Sequence, residues 1–409
     1  MRLISLSLAL CLVGAAAGRD YHARREALRK ALPGGVIVLF GGVEPTGAVF
    51  RFFQEPDFYY LSGWNQPGAR LLIDPEREVL FLQQHDPDRE KWTGLQPAPT
   101  DGNIRELTGF DQVVGVERFE TELQASLDKW EKVYADGVQA TGRMRAFAPL
   151  REVQSAEQAL TRLRMKKSPE ELESLRHAID ATLAAHREAW KVAAPGKYEY
   201  EVAAAMQAVY LSRGCERDSY SPIVGSGPNS LYLHYDHNDR RMDRGEVLLM
   251  DVGAECAGYA ADVTRTIPVS GKFTPRQREI YDVVLGAQKA AIAAVKPGAT
   301  LGRTTPNSIH QVALDYMNSH GQDRHGEPLG KYFTHGIGHS VGLEVHDAYE
   351  TGAPLEEGMV ITVEPGLYLL EENIGIRIED MVLVTKYGGQ LLTSALPREA
   401  GEIEKALAK

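Results

Sequence analysis

The second half of the chain is patterned as apolar strands that end in acids. Residues 247–250 (VLLM) form an apolar run that stops abruptly at Asp251. Gly253 and Gly258 suit a tight reversal. Residues 259–267 then read as a second strand, with Asp262 near its start, eleven residues after Asp251. A β-hairpin over this stretch brings the two aspartates together. Further on, MVITVEPGLY carries a β-branched strand into Glu364. In IGIRIEDMVLV, a period of two puts Ile374, Ile376 and Ile378 on one face and Arg377 and Glu379 on the other.

The first half alternates strands and helices and reads as an α/β domain. Residues 35–41 (GVIVLFG) form a buried strand, residues 57–63 (DFYYLSG) an aromatic strand-like run, and residues 69–74 and 78–83 a hairpin. Residues 133–137 read as a further strand. A charged helical stretch over residues 151–167 leads to Ser168-Pro169-Glu170-Glu171, where Ser168 as N-cap and Pro169 at the first helical position announce a new helix. That helix runs through Trp190 with Leu172, Leu175, Ile179 and Leu183 at helical spacing. Pro195-Gly196 breaks it, and residues 199–213 form a second amphipathic helix. Beyond residue 219 strands dominate, apart from a helix pair over residues 274–295 and 305–319. A chain of 409 residues exceeds one typical core. The expected organisation is a leader at 1–17, an N-terminal α/β domain at 18–150, a helical linker at 151–167 and a second domain at 168–409.

Charge and cysteines narrow the class. A net charge of -11 without a basic run argues against nucleic acid as a partner. Met1-Arg2, the apolar residues 3–13 and Ala15-Ala16-Ala17 make a secretory signal pattern, too short to span a bilayer. Export, periplasmic or secreted, with no stable membrane anchor is the expectation. Only Cys215 and Cys256 remain in the mature chain. They could pair in an oxidising compartment, and nothing marks Cys256 as an activated nucleophile.

Asp251, Asp262, Glu364 and Glu379 all lie on or end apolar strands. Four partly buried carboxylates repel one another unless cations sit between them. Two divalent ions balance four negative charges, and one neutral imidazole can complete the set. An oxygen-rich site with a single histidine suits Mn²⁺ or Co²⁺, with Zn²⁺ as an alternative. Two close metals can share a hydroxide that is nucleophilic near neutral pH. Histidines are supplied by HYDHND (His234) and by HGIGHSVGLEVHD (His335, His339 and His346). The glycines of the latter stretch argue against a helical i, i+4 pair.

The order and surroundings of these residues resemble the pita-bread dinuclear metallopeptidases, specifically their proline-specific branch. The motifs that carry the resemblance are His234-Tyr235, MDVGAE, ADVTRT, HGIGHSVGLEVHD, TVEPGLY and GIRIED. RFFQEPDFYYLSGWNQPGA at residues 51–69 is similar to the N-terminal domain of aminopeptidase P, and KSPEEL at 167–172 to the start of that family's catalytic domain. The resemblance implies an α/β (α+β) chain whose second domain is a pita-bread fold with a curved, mainly antiparallel sheet. It implies that Asp251, Asp262, His339, Glu364 and Glu379 bind two divalent metals, Mn²⁺ first, with Asp262 and Glu379 bridging. Glu364 would also shuttle a proton. His234, His335 and His346 would line the substrate site, and Arg377 would orient a carboxylate.

The implied reaction is release of the residue before a penultimate proline, from a peptide whose scissile bond is a tertiary amide without an N–H. The alternative is a dipeptidase of the prolidase type, which must hold the free carboxylate of proline. The short segment 369–373 has no arginine for that task, although Arg240 or Arg241 could serve. A non-catalytic binding protein on the same fold is the third reading, and the five filled ligand positions argue against it. The family suggests a homo-oligomer, dimer or tetramer.

Overall fold

The structure is a computed structural model that describes residues 20–44 and 51–408. The signal-like segment 1–17 lies outside the described residues. The chain divides into two compact units between Arg164 and Met165.

The first unit opens with α1 (Tyr21–Ala31), where the Asp20 side chain accepts from the Ala23 N–H, followed by β1 (Gly35–Phe40) and α2 (Pro56–Ser62). Next come β2 (Arg70–Ile73), β3 (Glu78–Leu82), α3 (Pro87–Thr93), α4 (Ile104–Thr108) and β4 (Gln112–Gly115). The unit continues through α5 (Phe119–Leu127), β5 (Lys132–Ala135), α6 (Gly137–Phe147), β6 (Val153–Ser155) and α7 (Glu157–Met165). Its six strands make one mixed sheet in the order β4-β3-β2-β1-β5-β6. The hairpin expected at residues 69–83 is the β2–β3 pair, with Arg70 opposite Phe81. Val36, Val38, Leu72 and Phe81 face Phe119 of α5, whose ring meets Phe81 edge-on at 5.2 Å.

Two readings of this unit change. Residues 57–63 are helical, not strand-like. Pro56 occupies the first helical turn and Gly63 closes it in the left-handed region at φ 64°. Those two residues outweigh the β-propensity of the aromatics between them. Residues 151–167 are not helical throughout, since Val153–Ser155 pairs in parallel with β5 before α7 begins.

The second unit begins with α8 (Pro169–Val192), and the Ser168–Glu171 capping box expected from the sequence is formed. α9 (Glu199–Ser212) follows. Then come β7 (Arg217–Asp218), β8 (Ile223–Ser226), β9 (Val247–Val252), β10 (Ala254–Cys256), β11 (Tyr259–Ala260) and β12 (Val263–Pro268). The helix pair is α10 (Pro275–Ala294) and α11 (Ile309–His320). The chain ends in β13 (Val360–Val363), β14 (Gly366–Leu369), β15 (Ile374–Arg377), β16 (Asp380–Thr385), β17 (Gly388–Leu391) and α12 (Ala400–Leu407). All of these strand pairings are antiparallel, in the groups β12-β9-β8, β11-β10-β7, β13-β16-β17 and β14-β15. Among the described residues, no helix is long and apolar enough to cross a membrane.

The central hairpin has two tiers. β9 and β12 form the base, with Thr264 opposite Asp251. β10 and β11 form the tip, closed by Ala257 and Gly258 at φ 52° and 77°. The tiers are offset at Gly253, where a Cβ would lie 1.7 Å from the Ala261 carbonyl oxygen. Only glycine permits that approach. The run 259–267 is therefore interrupted just where Asp262 sits. The IGIRIEDMVLV run also breaks: β15 pairs with β14, β16 pairs with β13, and both of its faces are buried, Ile376 and Ile378 as much as Arg377 and Glu379. Cys215 and Cys256, left open by the sequence, form a disulfide.

Candidate active site

The sequence-derived site residues converge on one cleft of about 490 Å³ in the second unit. Asp251, Asp262, Glu364, Glu379, His234, His335, His339, His346 and Arg377 all line it. They arrive on separate elements. Asp251 lies on β9, Asp262 at the offset of the hairpin, Glu364 just after β13, Arg377 at the end of β15, and Glu379 between β15 and β16. His335 and His339 come from a glycine-rich non-helical stretch, as the sequence suggested. Its close passage needs Gly338, where a Cβ would sit 2.1 Å from the Thr362 carbonyl oxygen.

His234 stands on a loop pinned by a buried acid. Glu199, the first residue of α9, accepts from the Ser226 N–H (2.6 Å), the Tyr235 hydroxyl (2.8 Å) and the Arg240 N–H (3.0 Å). Arg240 itself is clamped on Glu246 and Ser226. It does not line the cleft, and neither does Arg241, which is exposed.

The floor of the cleft is a cluster of buried acids with little positive charge. Arg377 donates to Asp251, to the Tyr368 hydroxyl (2.8 Å) and to Thr264 Oγ1 (3.3 Å). Burial pushes the Asp251 carboxyl up, but Arg377 and the Tyr220 hydroxyl outweigh it and hold the group below its ordinary value. Arg377 bonds Asp251 alone among the four acids. Burial, then the charges of Asp251 and Glu364, drive the Asp262 carboxyl well up. Burial and the charges of Asp262 and Glu364 do the same to Glu379, whose Oε2 accepts from Thr264 Oγ1 at 2.7 Å. Glu364 is raised by burial, against the pull of His339 and Arg377.

His339 sets the character of the cluster. Its Nδ1 lies 3.1 Å from the Ser340 carbonyl, which can only accept, so this nitrogen donates there and Nε2 is the ring atom turned toward the acids. Nε2 lies 3.4 Å from Asp262 Oδ2 and 3.5 Å from Glu364 Oε1. Donor atoms of Asp262, His339 and Glu379 lie within 4.8 Å of one another. Ligand-type atoms gathered around one point fit a cation at that point. The donor set, four carboxylates and one imidazole, is that of a hard or borderline divalent ion.

Two tyrosines that sequence reasoning passed over complete the site. Tyr220 sets its hydroxyl between the carboxylates of Asp251 and Asp262, within hydrogen-bonding distance of both, and its single proton serves one of them at a time. It lies in an irregular stretch whose pattern gives no sign of its role. The Tyr368 hydroxyl accepts from Arg377 and donates to His335 Nε2 at 2.9 Å, while His335 Nδ1 donates to the Gly336 carbonyl at 2.8 Å. Strand alternation in GLYL was a usable signal here, because it sets Tyr368 opposite in facing to Leu367 and Leu369. Burial and the Arg377 charge push His335 down to about 3. Burial and the neighbouring His339 and His234 push His346, whose ring centroid is 4.1 Å from that of His339, down to about 4. Both are neutral imidazoles at physiological pH.

Comparison with known proteins agrees along almost the whole chain. Residues 173–386 match metallopeptidase family M24, and residues 21–134 match the aminopeptidase P N-terminal domain. The chain is 34% identical to a Xaa-Pro aminopeptidase of Haemophilus influenzae, over 94% of this chain and 96% of that protein. The structure of Pseudomonas aeruginosa aminopeptidase PepP superposes with a TM-score of 0.86 at 30% identity, covering 95% of this chain and 97% of that one. Escherichia coli aminopeptidase P with the inhibitor Pro-Leu gives a TM-score of 0.84 at 30% identity and the same coverage. An N-terminal domain followed by a catalytic domain of curved antiparallel sheets is the pita-bread arrangement of these neighbours.

Proposed function

Because the chain belongs to metallopeptidase family M24, we propose that it is a metal-dependent Xaa-Pro aminopeptidase, which hydrolyses the bond before a penultimate proline. The observation that carries this most directly is the convergence of His339 Nε2 with the carboxylates of Asp262, Glu364 and Glu379. Asp251, Asp262, His339, Glu364 and Glu379 would hold two divalent ions, with Mn²⁺ the first choice for so oxygen-rich a set. When bound, these ions would activate a water as nucleophile and polarise the scissile carbonyl.

The protein groups supply the rest. Glu364, at the end of β13 and lining the cleft, would take the proton of the attacking water and return it to the leaving proline nitrogen. Neutral His335 and His346, with His234 at the mouth, hold the substrate carbonyl and stabilise the oxyanion as it forms. Arg377 fixes Asp251 and, through Tyr368, the ring of His335. A tertiary amide has no N–H to offer, so a cleft built on carbonyl and oxyanion contacts suits it.

The prolidase alternative loses ground, because Arg240 is committed to Glu246 and neither Arg240 nor Arg241 reaches the cleft to hold a proline carboxylate. We also propose export. The leader pattern of residues 1–17 and a disulfide between the two cysteines of the mature chain support an oxidising compartment. One preparation tests both proposals. Protein recovered from the exported fraction should begin at or near Gly18 and, with Mn²⁺ added, should cut Xaa-Pro-Xaa tripeptides at the first bond. Turnover of Xaa-Pro dipeptides alone would promote the prolidase reading, and an intact Met1 start in the cytoplasm would remove the export proposal.

A further inference from the structure

The Cys215–Cys256 disulfide sits where it can act on the metal cluster. Cys256 ends β10, inside the excursion between Asp251 and Asp262. Cys215 precedes β7, the strand that leads directly to Tyr220. The arm formed by residues 215–220 joins the hairpin tip through two residue pairs, Ala254 with Asp218 and Glu255 with Arg217. Two backbone bonds extend this contact, from the Glu216 N–H to the Glu255 carbonyl and from the Ser219 N–H to the Gly253 carbonyl, each 2.9 Å. At the far end of the arm, the Tyr220 hydroxyl lies within hydrogen-bonding distance of both aspartates.

The hairpin is anchored on its own account. The Ala254 N–H donates to Thr182 of α8 at 2.9 Å, Tyr259 donates to Glu171 at 2.9 Å, and the Ala260 N–H donates to the Gly342 carbonyl at 2.8 Å. The arm follows this anchored hairpin through those backbone bonds and the Arg217–Glu255 ion pair at 2.9 Å, and it meets α9 where Gln207 donates to Asp218 at 2.7 Å. A covalent bond at the root of the arm adds to these ties and fixes the start of the lever that ends in Tyr220. The bond is buried, with Cys215 4% and Cys256 0% exposed, so it serves as a standing constraint and not as a surface contact.

We propose that the Cys215–Cys256 disulfide is a positioning element for the metal centre, and that it acts through Tyr220. With the arm clamped, the Tyr220 hydroxyl stays over Asp251 and Asp262, and their remaining oxygens keep one orientation toward the ions. Without the clamp the arm drifts, and the aspartates lose the donor that orients them. Such outer groups typically govern metal affinity by about ten- to a hundredfold.

The inference rests on the metal-centre reading, and its test keeps the two apart. Metal-free wild type, Cys215→Ala/Cys256→Ala, Tyr220→Phe and the triple variant are titrated with Mn²⁺ by calorimetry, and their melting temperatures are measured alongside. The cysteine pair and Tyr220→Phe should each weaken Mn²⁺ binding about tenfold. The triple variant should bind within about twofold of Tyr220→Phe, because both changes remove one effect. A cysteine variant that melts lower but binds Mn²⁺ like wild type would reduce the bond to an ordinary cross-link and overturn the proposal. Fully additive losses in the triple variant would also overturn it, since the bond would then act by another route. Failure of wild type to bind any Mn²⁺ would overturn the metal-centre reading and this proposal with it. If the double variant does not fold, Cys215→Ser alone carries the same comparison.

Discussion

Glu379 and Asp380 are consecutive acids, both buried to 1% exposure or less, and their surroundings are opposite. Asp380 is fully compensated. Its Oδ1 accepts from Arg265 at 2.7 Å and from Thr393, and its Oδ2 accepts from Gln288 at 3.0 Å and Arg398 at 3.5 Å. Glu379 faces the cleft, accepts from Thr264, and otherwise meets His339 and the carboxylates of Asp262, Glu364 and Asp251. Arg265 even binds the Glu379 carbonyl oxygen (2.6 Å), but it sends its charge to Asp380. A buried charge whose partners are all supplied by the protein holds the fold together. One left short of positive charge marks a place where the protein expects a cation.

The strongest way to break that contrast is to remove the acid on the cleft side. Glu379→Ala should lose bound metal as well as activity, with a rate loss of more than about a hundredfold, because as a proposed bridging ligand it serves both ions. His346→Ala, at the substrate side, should keep two divalent ions per chain and lose rate by about a hundredfold. Elemental analysis of the two purified variants decides between the roles. If His346→Ala loses metal while Glu379→Ala retains two ions, the division into ligands and substrate residues is wrong.

The structural side of the contrast predicts stability instead. Asp380→Ala leaves Arg265 fully buried without its carboxylate and should cost about 3–5 kcal/mol. In the metal-free protein, Glu379→Gln should be neutral or stabilising, because it removes one of several acids that repel one another. Urea unfolding of both variants, each without metal, measures the difference. Equal destabilisation by the two changes would show that Glu379 is as much a part of the fold as Asp380.

Much of this was legible in the chain, and the rest was hidden for physical reasons. Apolar strands ending in Asp251 and Glu364, with the glycines around Asp262 and His339, marked the cluster because buried acids are rare enough to need a cause. The period of two set Glu379 beside Arg377, but it could not show that the neighbouring Asp380 is compensated where Glu379 is not. Both are acids at the edge of one apolar run, and only their three-dimensional partners distinguish them. Residues 57–63 were misread because aromatic β-propensity hid a short helix set by Pro56 and Gly63. Tyr220 was invisible because its role depends on the β7–β10 pairing, which joins residues far apart in the sequence. The disulfide was undecidable for the same reason.

A half-buried acid in the first unit extends the contrast to its smallest expected effect. Asp57 in the first turn of α2 and Asp136 just before α6 lie close together, and Arg164 donates to Asp57 Oδ1 at 2.9 Å. This pair is intermediate: it has one guanidinium nearby where Asp380 has two and the cleft acids share only Arg377. Burial, then the charge of Asp57, pushes the Asp136 carboxyl up to about 7. In the unfolded chain the same group titrates near 4. Between those values the folded unit keeps a proton that the unfolded chain has lost, so stability falls as pH rises from about 4 through 7 and levels off above. Asp136→Asn keeps a donor toward Asp57 without the charge and should remove that slope. Denaturant midpoints of wild type and variant should nearly coincide at pH 4 and diverge toward pH 8. There the asparagine form should be more stable by about 2 kcal/mol, roughly half the full value of such a shift because the site is only partly buried. A constant difference at all pH values would show that Asp136 is already compensated, as Asp380 is, and that the pair belongs with the fold.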